Sequence, residues 1–151
     1  MEVRPAGPED AETVADVFIA SFETLTFLPT LHTHAETRAF VRGALERGEA
    51  WVAEENGRVV GMAVLSGDML DHLYVHPDAQ GRGAGSALLE QAKAQRPDGF
   101  TLWVFQENEG ARRFYERHGL RAIRFTDGDG NEAKAPDALY EWHAPDREEN
   151  A

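Results

Sequence analysis

Three glycines fall within five residues at Gly81-Arg82-Gly83-Ala84-Gly85. Glycines so spaced let successive backbone N–H groups converge on one point with no side chain in the way. The apolar segment Leu73-Tyr74-Val75 precedes the loop, and a helix-like pattern with Leu88, Leu89 and Ala92 follows it. A helix opening at the end of such a loop adds its unpaired N–H groups and the positive end of its dipole. Arg82 adds a full charge. The chemistry that suits this arrangement is the grip of a pyrophosphate. It is not the grip of a P-loop, because Ser86-Ala87 stand where Lys and Ser or Thr would follow the last glycine. The spacing also departs from the dinucleotide fingerprint, whose acidic residue would have to be Glu107, a weak match. A tight turn that binds nothing is the plain alternative, yet such a turn rarely carries three glycines and an arginine.

A second segment with chemical content runs from Asn108 to Leu120. Asn108 reads as a helix cap. Ala111, Phe114 and Tyr115 share one face of the helix it opens, and Gly119 ends that helix. Core packing explains Phe114, and it is also the bland reading of Tyr115. Arg112, Arg113 and Arg117 fit a solvated helix face.

The elements that must position these residues can be read along the chain. Its 151 residues suit one domain with one substantial core. An opening strand is expected near Met1 to Arg4. A helix starts after Pro8-Glu9-Asp10 and turns Val14, Val17, Phe18 and Phe22 inward. The pattern breaks from Phe27 to His34. A second helix is expected from Ala35 to Arg47, with Phe40, Val41, Ala44 and Leu45 inward and Gly48 as its stop. Trp51 to Ala53 and Val59 to Leu65 read as strands joined at Asn56-Gly57, a hairpin signal. Leu70 to Val75 is the next strand, and Pro97 closes the helix after the glycine loop. Phe100 to Phe105 reads as a central strand covered on both faces. Leu120 to Phe125 and Ala138 to His143 form a final antiparallel pair. Residues 1–145 are expected to be the domain and 146–151 a frayed acidic tail. The order specifies an α/β or α+β sheet with helices on its faces.

The formal charge of −12 excludes the clustered basic surface that nucleic acid or an anionic membrane requires, and it favours cationic partners. The glycine loop would then be a local anion site within a negative whole. There is no cysteine, so disulfides and cysteine nucleophiles are excluded. The first residues lack the basic and apolar regions of a secretory signal, and the expected location is cytoplasmic.

Gln80-Gly81-Arg82-Gly83-Ala84-Gly85 resembles the coenzyme A pyrophosphate loop of the GCN5-related N-acetyltransferase (GNAT) superfamily, whose pattern is Gln or Arg, two residues, Gly, one residue, then Gly or Ala. Leu73-Tyr74-Val75 looks like that family's central strand. Asn108, Ala111, Phe114, Tyr115 and Gly119-Leu120 match its second signature, and the element order agrees over nearly the whole chain. The resemblance implies a single mixed, mostly antiparallel sheet of about six to seven strands, with helices on both faces and a splayed central pair. It implies direct transfer of acetyl from acetyl-coenzyme A to a primary amine; a non-catalytic sensor of acetyl-coenzyme A is the alternative. The strand Leu73-Tyr74-Val75 would pair with the pantetheine arm through the backbone of Leu73 and Val75. Gln80 to Gly85, with Ser86, would hold the pyrophosphate. Asn108 would bond the pantetheine, Ala111 and Phe114 would flank the coenzyme, and Arg117 would meet a phosphate. Tyr115 would face the sulfur.

Acetyl transfer needs a neutral amine, a polarised carbonyl and a protonated leaving sulfur. A backbone N–H near Leu73 or Tyr74 suits the oxygen. Tyr115, with an ordinary pKa of about 10 against about 8.5 for a thiol, suits the sulfur in a nearly balanced transfer. Glu23, Asp68, Asp71, His72 or a water are candidates for the base, each with an ordinary surface or capping role as its rival. The segment Glu23 to His34 is the expected acceptor wall. No metal is expected: His32, His34, His72 and His76 fix no metal-binding geometry. Asp127-Gly128-Asp129-Gly130-Asn131 resembles a calcium loop, but Glu132 and Ala138 stand where Gly and Glu should, so a hairpin turn is expected. Trp142 is a candidate for a homodimer interface, with core packing as its rival.

Overall fold

A computed structural model describes residues 1–47 and 49–144. The expected helix stop at Gly48 and the expected acidic tail lie outside the described residues. Seven strands, β1 (Glu2–Pro5), β2 (Glu49–Glu55), β3 (Arg58–Ser66), β4 (Met69–Val75), β5 (Phe100–Phe105), β6 (Arg121–Phe125) and β7 (Asp137–Trp142), form one sheet in the order β1-β2-β3-β4-β5-β7-β6. Four helices accompany them: α1 (Ala11–Phe22), α2 (His34–Arg47), α3 (Ala84–Gln95) and α4 (Glu109–Arg117). Every strand pairing is antiparallel except β4 with β5.

Strand alternation sorts the side chains onto two faces. Val52, Met62 and Val64 point one way, to Val14, Val17 and Phe18 of α1 and Val41 and Leu45 of α2. Ala53, Ala63 and Leu65 point the other way, to Leu88, Leu89 and Ala92 of α3 and Tyr115 of α4. Phe40 departs from expectation. It is 47% exposed, because it sits at the rim of α2 and meets Phe18 and His72 only edge-on. The β2–β3 hairpin turns at Asn56-Gly57, both at positive φ, as a primed turn requires. Thr33 and Glu36 open α2 with reciprocal hydrogen bonds of 2.8 and 3.1 Å, a capping box. Helix α4 closes with Leu120 N–H bonding the Tyr115 carbonyl at 3.0 Å and Gly119 N–H that of Glu116 at 3.2 Å, a Schellman end.

The central pair is splayed. Strands β4 and β5 share one register pair, Met69 with Thr101, beside a 2.9 Å bond from Thr101 N–H to the Asp68 carbonyl. Beyond it they diverge, and the gap between them becomes the cleft.

Candidate active site

The β3–β4 ladder dictates which backbone groups face that gap. His76 N–H donates to the Val60 carbonyl at 2.8 Å, and Tyr74 lies opposite Met62 in the same register. Antiparallel pairs alternate, so Tyr74 and His76 turn their polar groups to β3 while Leu73 and Val75 turn theirs toward β5. Strand β5 has already diverged there. Leu73 therefore presents its N–H and carbonyl to open space, an unfilled strand edge. Between Leu70 and His72 the register slips by one residue. The extra residue is Asp71, a bulge that bends β4 and puts an exposed carboxylate on the cleft lining.

The glycine loop closes one end of the cleft. Gly81 and Gly83 have φ of +82° and +91°, and an added Cβ at either would meet nothing within 4 Å. Their conformation, not crowding, requires glycine. Gly83 is the N-cap of α3, so the first amides of α3 open onto the loop. Gly85 packs against Phe114, whose ring would lie 3.3 Å from an added Cβ. Gly81, Gly83, Ala84, Gly85 and Ser86 all line the cleft. The Ser86 hydroxyl lies 3.1 Å from His118 Nε2. Gln80 lines it too, with its amide 3.4 Å from the Val75 carbonyl.

Arg82 behaves differently from expectation. Its guanidinium turns to Glu55 at 2.7 Å, and its side chain is outside the cleft lining. In so acidic a chain an exposed arginine finds a carboxylate nearby. On the cleft side the loop presents amides and the start of α3, which favour an anion. Arg117 lines the cleft, whereas Arg112 is held by the Tyr140 hydroxyl at 3.1 Å and the Gln106 carbonyl at 3.3 Å.

Helix α4 lines the cleft as well. Asn108 caps it, its Oδ1 accepting from Ala111 N–H at 3.2 Å, and the amide group still borders the cleft beside Ala111 and Phe114. Tyr115 is 7% exposed and reaches the same cleft. Burial pushes its phenol well above the ordinary value. It stays protonated more firmly than a free phenol, and its gap from a thiol is wider than the nearly balanced one expected from sequence. Tyr74 lines the cleft with its phenol likewise raised by burial, and it senses Tyr115 electrostatically.

The four protein candidates for a base separate in space. Only Asp71 lines the cleft. Asp68 sits in the β3–β4 turn, and Glu23 lies 3.5 Å from His34 on the outside. His72 is enclosed by Phe18, Phe40 and Tyr74, which lowers its pKa by burial. Ser21, which is not among the residues singled out from sequence, is buried at the end of α1 and donates to the Val75 carbonyl at 2.8 Å. Its one signal in the sequence is a small polar residue on the apolar face of α1.

The segment from Glu23 to His34 borders the cleft near its start. Thr24 and Leu25 line it, Phe27 meets Phe105 edge-on at 5.9 Å, and His32 reaches Glu132 at 2.6 Å. Glu132 belongs to the 126–136 connection between β6 and β7, longer than the hairpin turn expected. Asn131 stitches that connection, bonding Ala135 twice and Asp137 once. Among the described residues no group of three or more His, Cys, Asp or Glu is placed to hold a metal ion, and no helix is long and apolar enough to cross a membrane. Trp142 packs on Phe100 at 5.6 Å with Lys93 over its ring.

An open strand edge, an amide-rich glycine loop at a helix start and a phenol thus meet in one cleft. Comparison with known proteins supplies the family. Residues 46–121 match the acetyltransferase (GNAT) domain. The peptidyl-lysine N-acetyltransferase YjaB of Escherichia coli is 30% identical over 122 residues, covering 80% of this chain and 82% of that protein. The solution structure of apo YjaB superimposes with a TM-score of 0.77 at 28% identity, over 93% of this chain and 96% of the other. PaiA N-acetyltransferase of Thermoplasma acidophilum, solved in complex with coenzyme A, shares the fold at 19% identity, with a TM-score of 0.68 over 94% and 98% of the two chains. The chain belongs to the GNAT family and is an acyltransferase.

Proposed function

We propose that this protein binds acetyl-coenzyme A in the cleft and transfers the acetyl group directly to a primary amine. The observation that carries the reading is the edge of β4 at Leu73 and Val75, which no strand pairs beyond Met69, in one cleft with the glycine loop and Tyr115. That edge fits an extended amide-bearing arm, and the loop fits a pyrophosphate. Acetyl-coenzyme A supplies an activated acyl group whose carbonyl accepts negative charge as the amine attacks.

Leu73 N–H, free of the ladder, donates to that oxygen. Asp71 takes the amine proton through a water. A C–N bond forms, the C–S bond breaks, and Tyr115 gives its proton to the leaving sulfur. Asn108 holds the arm, and Arg117 meets an outer phosphate. The relative YjaB is named for peptidyl-lysine, which supports a protein lysine as the first acceptor class to try. The negative surface favours such a cation.

Calorimetric titration with acetyl-coenzyme A, with a nicotinamide dinucleotide as control, tests the binding. Saturable binding of the first alone, followed by thiol release with lysine peptides, is the expected result. Failure of folded protein to bind acetyl-coenzyme A would overturn the reading. Binding without turnover on any amine would leave only the sensor.

A further inference from the structure

A trough leaves the cleft across β5. Trp103, Val104 and Phe105 line both, so the two adjoin along β5. Helices α1 and α2 cover β2 to β4 and leave this side of β5, β7 and β6 open. In the register Trp103 of β5 and Arg124 of β6 both lie opposite Leu139 of β7. Directly opposed residues share a face. With strands about 4.8 Å apart, the Trp103 and Arg124 backbones are about 10 Å from each other across that row.

Arg124 owes its position to a bulge. Ala122 lies opposite Tyr140, which faces the core, and simple alternation would send Arg124 inward as well. The register slips between Ala122 and Arg124, with Ile123 as the extra residue, so Arg124 turns out into the trough and Phe125 turns back over Arg112. Re-aiming a side chain is what a bulge does. The neighbouring arginine, Arg121, pairs with Glu141 at 3.4 Å. Arg124 has no ion pair among the described residues, in a chain with 27 acidic residues. The two carboxylates lining the trough are otherwise disposed. Asp137 is held by Thr126 and Asn131, and Asp127 accepts Asp129 N–H at 2.9 Å.

We infer that Arg124 binds a carboxylate on the amine acceptor, with the half-exposed Trp103 ring as the platform between that carboxylate and the reacting amine. The inference rests on the acetyltransferase reading and names the acceptor class: an amine with a carboxylate nearby. The net negative surface draws in the amine, and the Arg124 guanidinium, without an ion pair among the described residues, selects acceptors that also carry a negative group. The carboxylate comes either from an acidic residue beside a peptide lysine or from the acceptor's own α-carboxylate.

The test uses the full chain saturated with coenzyme A, titrated with two short peptides that differ only in Glu or Gln beside a lysine, and with free lysine against lysinamide. Binding is read by NMR from the Trp103 indole. Tenfold or greater preference for Glu over Gln assigns the carboxylate to a neighbouring residue; the same preference for lysine over lysinamide assigns it to the acceptor itself. Arg124→Gln should erase whichever preference is seen, and Arg124→Glu should reverse it, with coenzyme A affinity unchanged in both. Equal binding within each pair, no shift of Trp103 with any probe, or a preference that survives Arg124→Gln overturns the inference. Failure to bind coenzyme A at all would instead strike the acetyltransferase reading.

Discussion

The two walls of the cleft are made of different material. On the side of β4 and the glycine loop the working groups are backbone: the edge at Leu73 and Val75 that no strand pairs and the amides of the glycine loop and the start of α3. On the side of β5, where the cleft adjoins the trough, they are side chains: Trp103 and Arg124, flanked by the connections 23–33 and 126–136 through Phe27 on Phe105 and His32 on Glu132. A backbone wall reads shape and dipoles that every extended amide and pyrophosphate share. A side-chain wall reads one partner. The first wall suits an invariant donor, the second an acceptor that must be selected.

Tyr115 stands where the walls meet, and its loss tests both at once. Tyr115→Phe keeps the ring and its packing but removes the proton. Turnover should fall by about 10²- to 10⁴-fold, while calorimetric affinity for acetyl-coenzyme A stays the same. Unchanged turnover would show that the sulfur takes its proton from elsewhere, with Tyr74 as the next phenol to remove.

Gly83→Ala strikes only the backbone wall. The residue holds φ at +91° with open space around it, so alanine meets strain of about 1 to 2 kcal/mol and no clash. If the strain is relieved by tilting the first turn of α3, acetyl-coenzyme A should bind about tenfold more weakly, by the conversion of 1.4 kcal/mol per decade. The Michaelis constant for the amine should not move. An equal rise in both constants would break the division between the walls.

Ser21→Ala probes the seam between them. The hydroxyl ties the end of α1, where the acceptor segment begins, to the Val75 carbonyl of the donor strand. Losing a buried neutral hydrogen bond costs about 1 kcal/mol. Exchange of amides 22–28 should quicken several-fold, and acetyl-coenzyme A should cease to slow it. Protection by the coenzyme that persists in the variant would mean the walls communicate by another route.

The same division explains what the sequence reveals and what it hides. Backbone sites constrain residue types, because positive φ asks for Gly81 and Gly83 and a helix start asks for a cap such as Asn108. The loop and its helix are therefore legible in the sequence, whereas the splay of the central strands is implied only by the family resemblance. The direction of Arg82 is not, because an ion pair with Glu55, 27 residues away, decides it. Asp71 and Arg124 owe their aim to bulges, and a bulge leaves no mark in an alternating pattern. Contact between His32 and Glu132 joins residues 100 positions apart, and periodicity carries no information about such pairs.

That contact gives the smallest effect. Hydrogen bonding to Glu132, then the charges of Glu132 and Glu36, raise the His32 imidazole above its ordinary value. A raised folded value means the clip is fully made below about pH 6.5, the ordinary imidazole value, and is lost as pH climbs through the folded one. Both partners are exposed, so global stability should barely respond. Local order should respond: amide exchange in residues 26–33, corrected for its intrinsic pH dependence, should be slower at pH 6 than at pH 8. Residues 81–86, on the backbone wall, should show no such difference, and His32→Gln should remove it from 26–33. Matching pH dependence in the two segments would mean that the acceptor wall is not clipped by this pair and that its side chains are held by packing, with Phe27 on Phe105 as the contact to remove next.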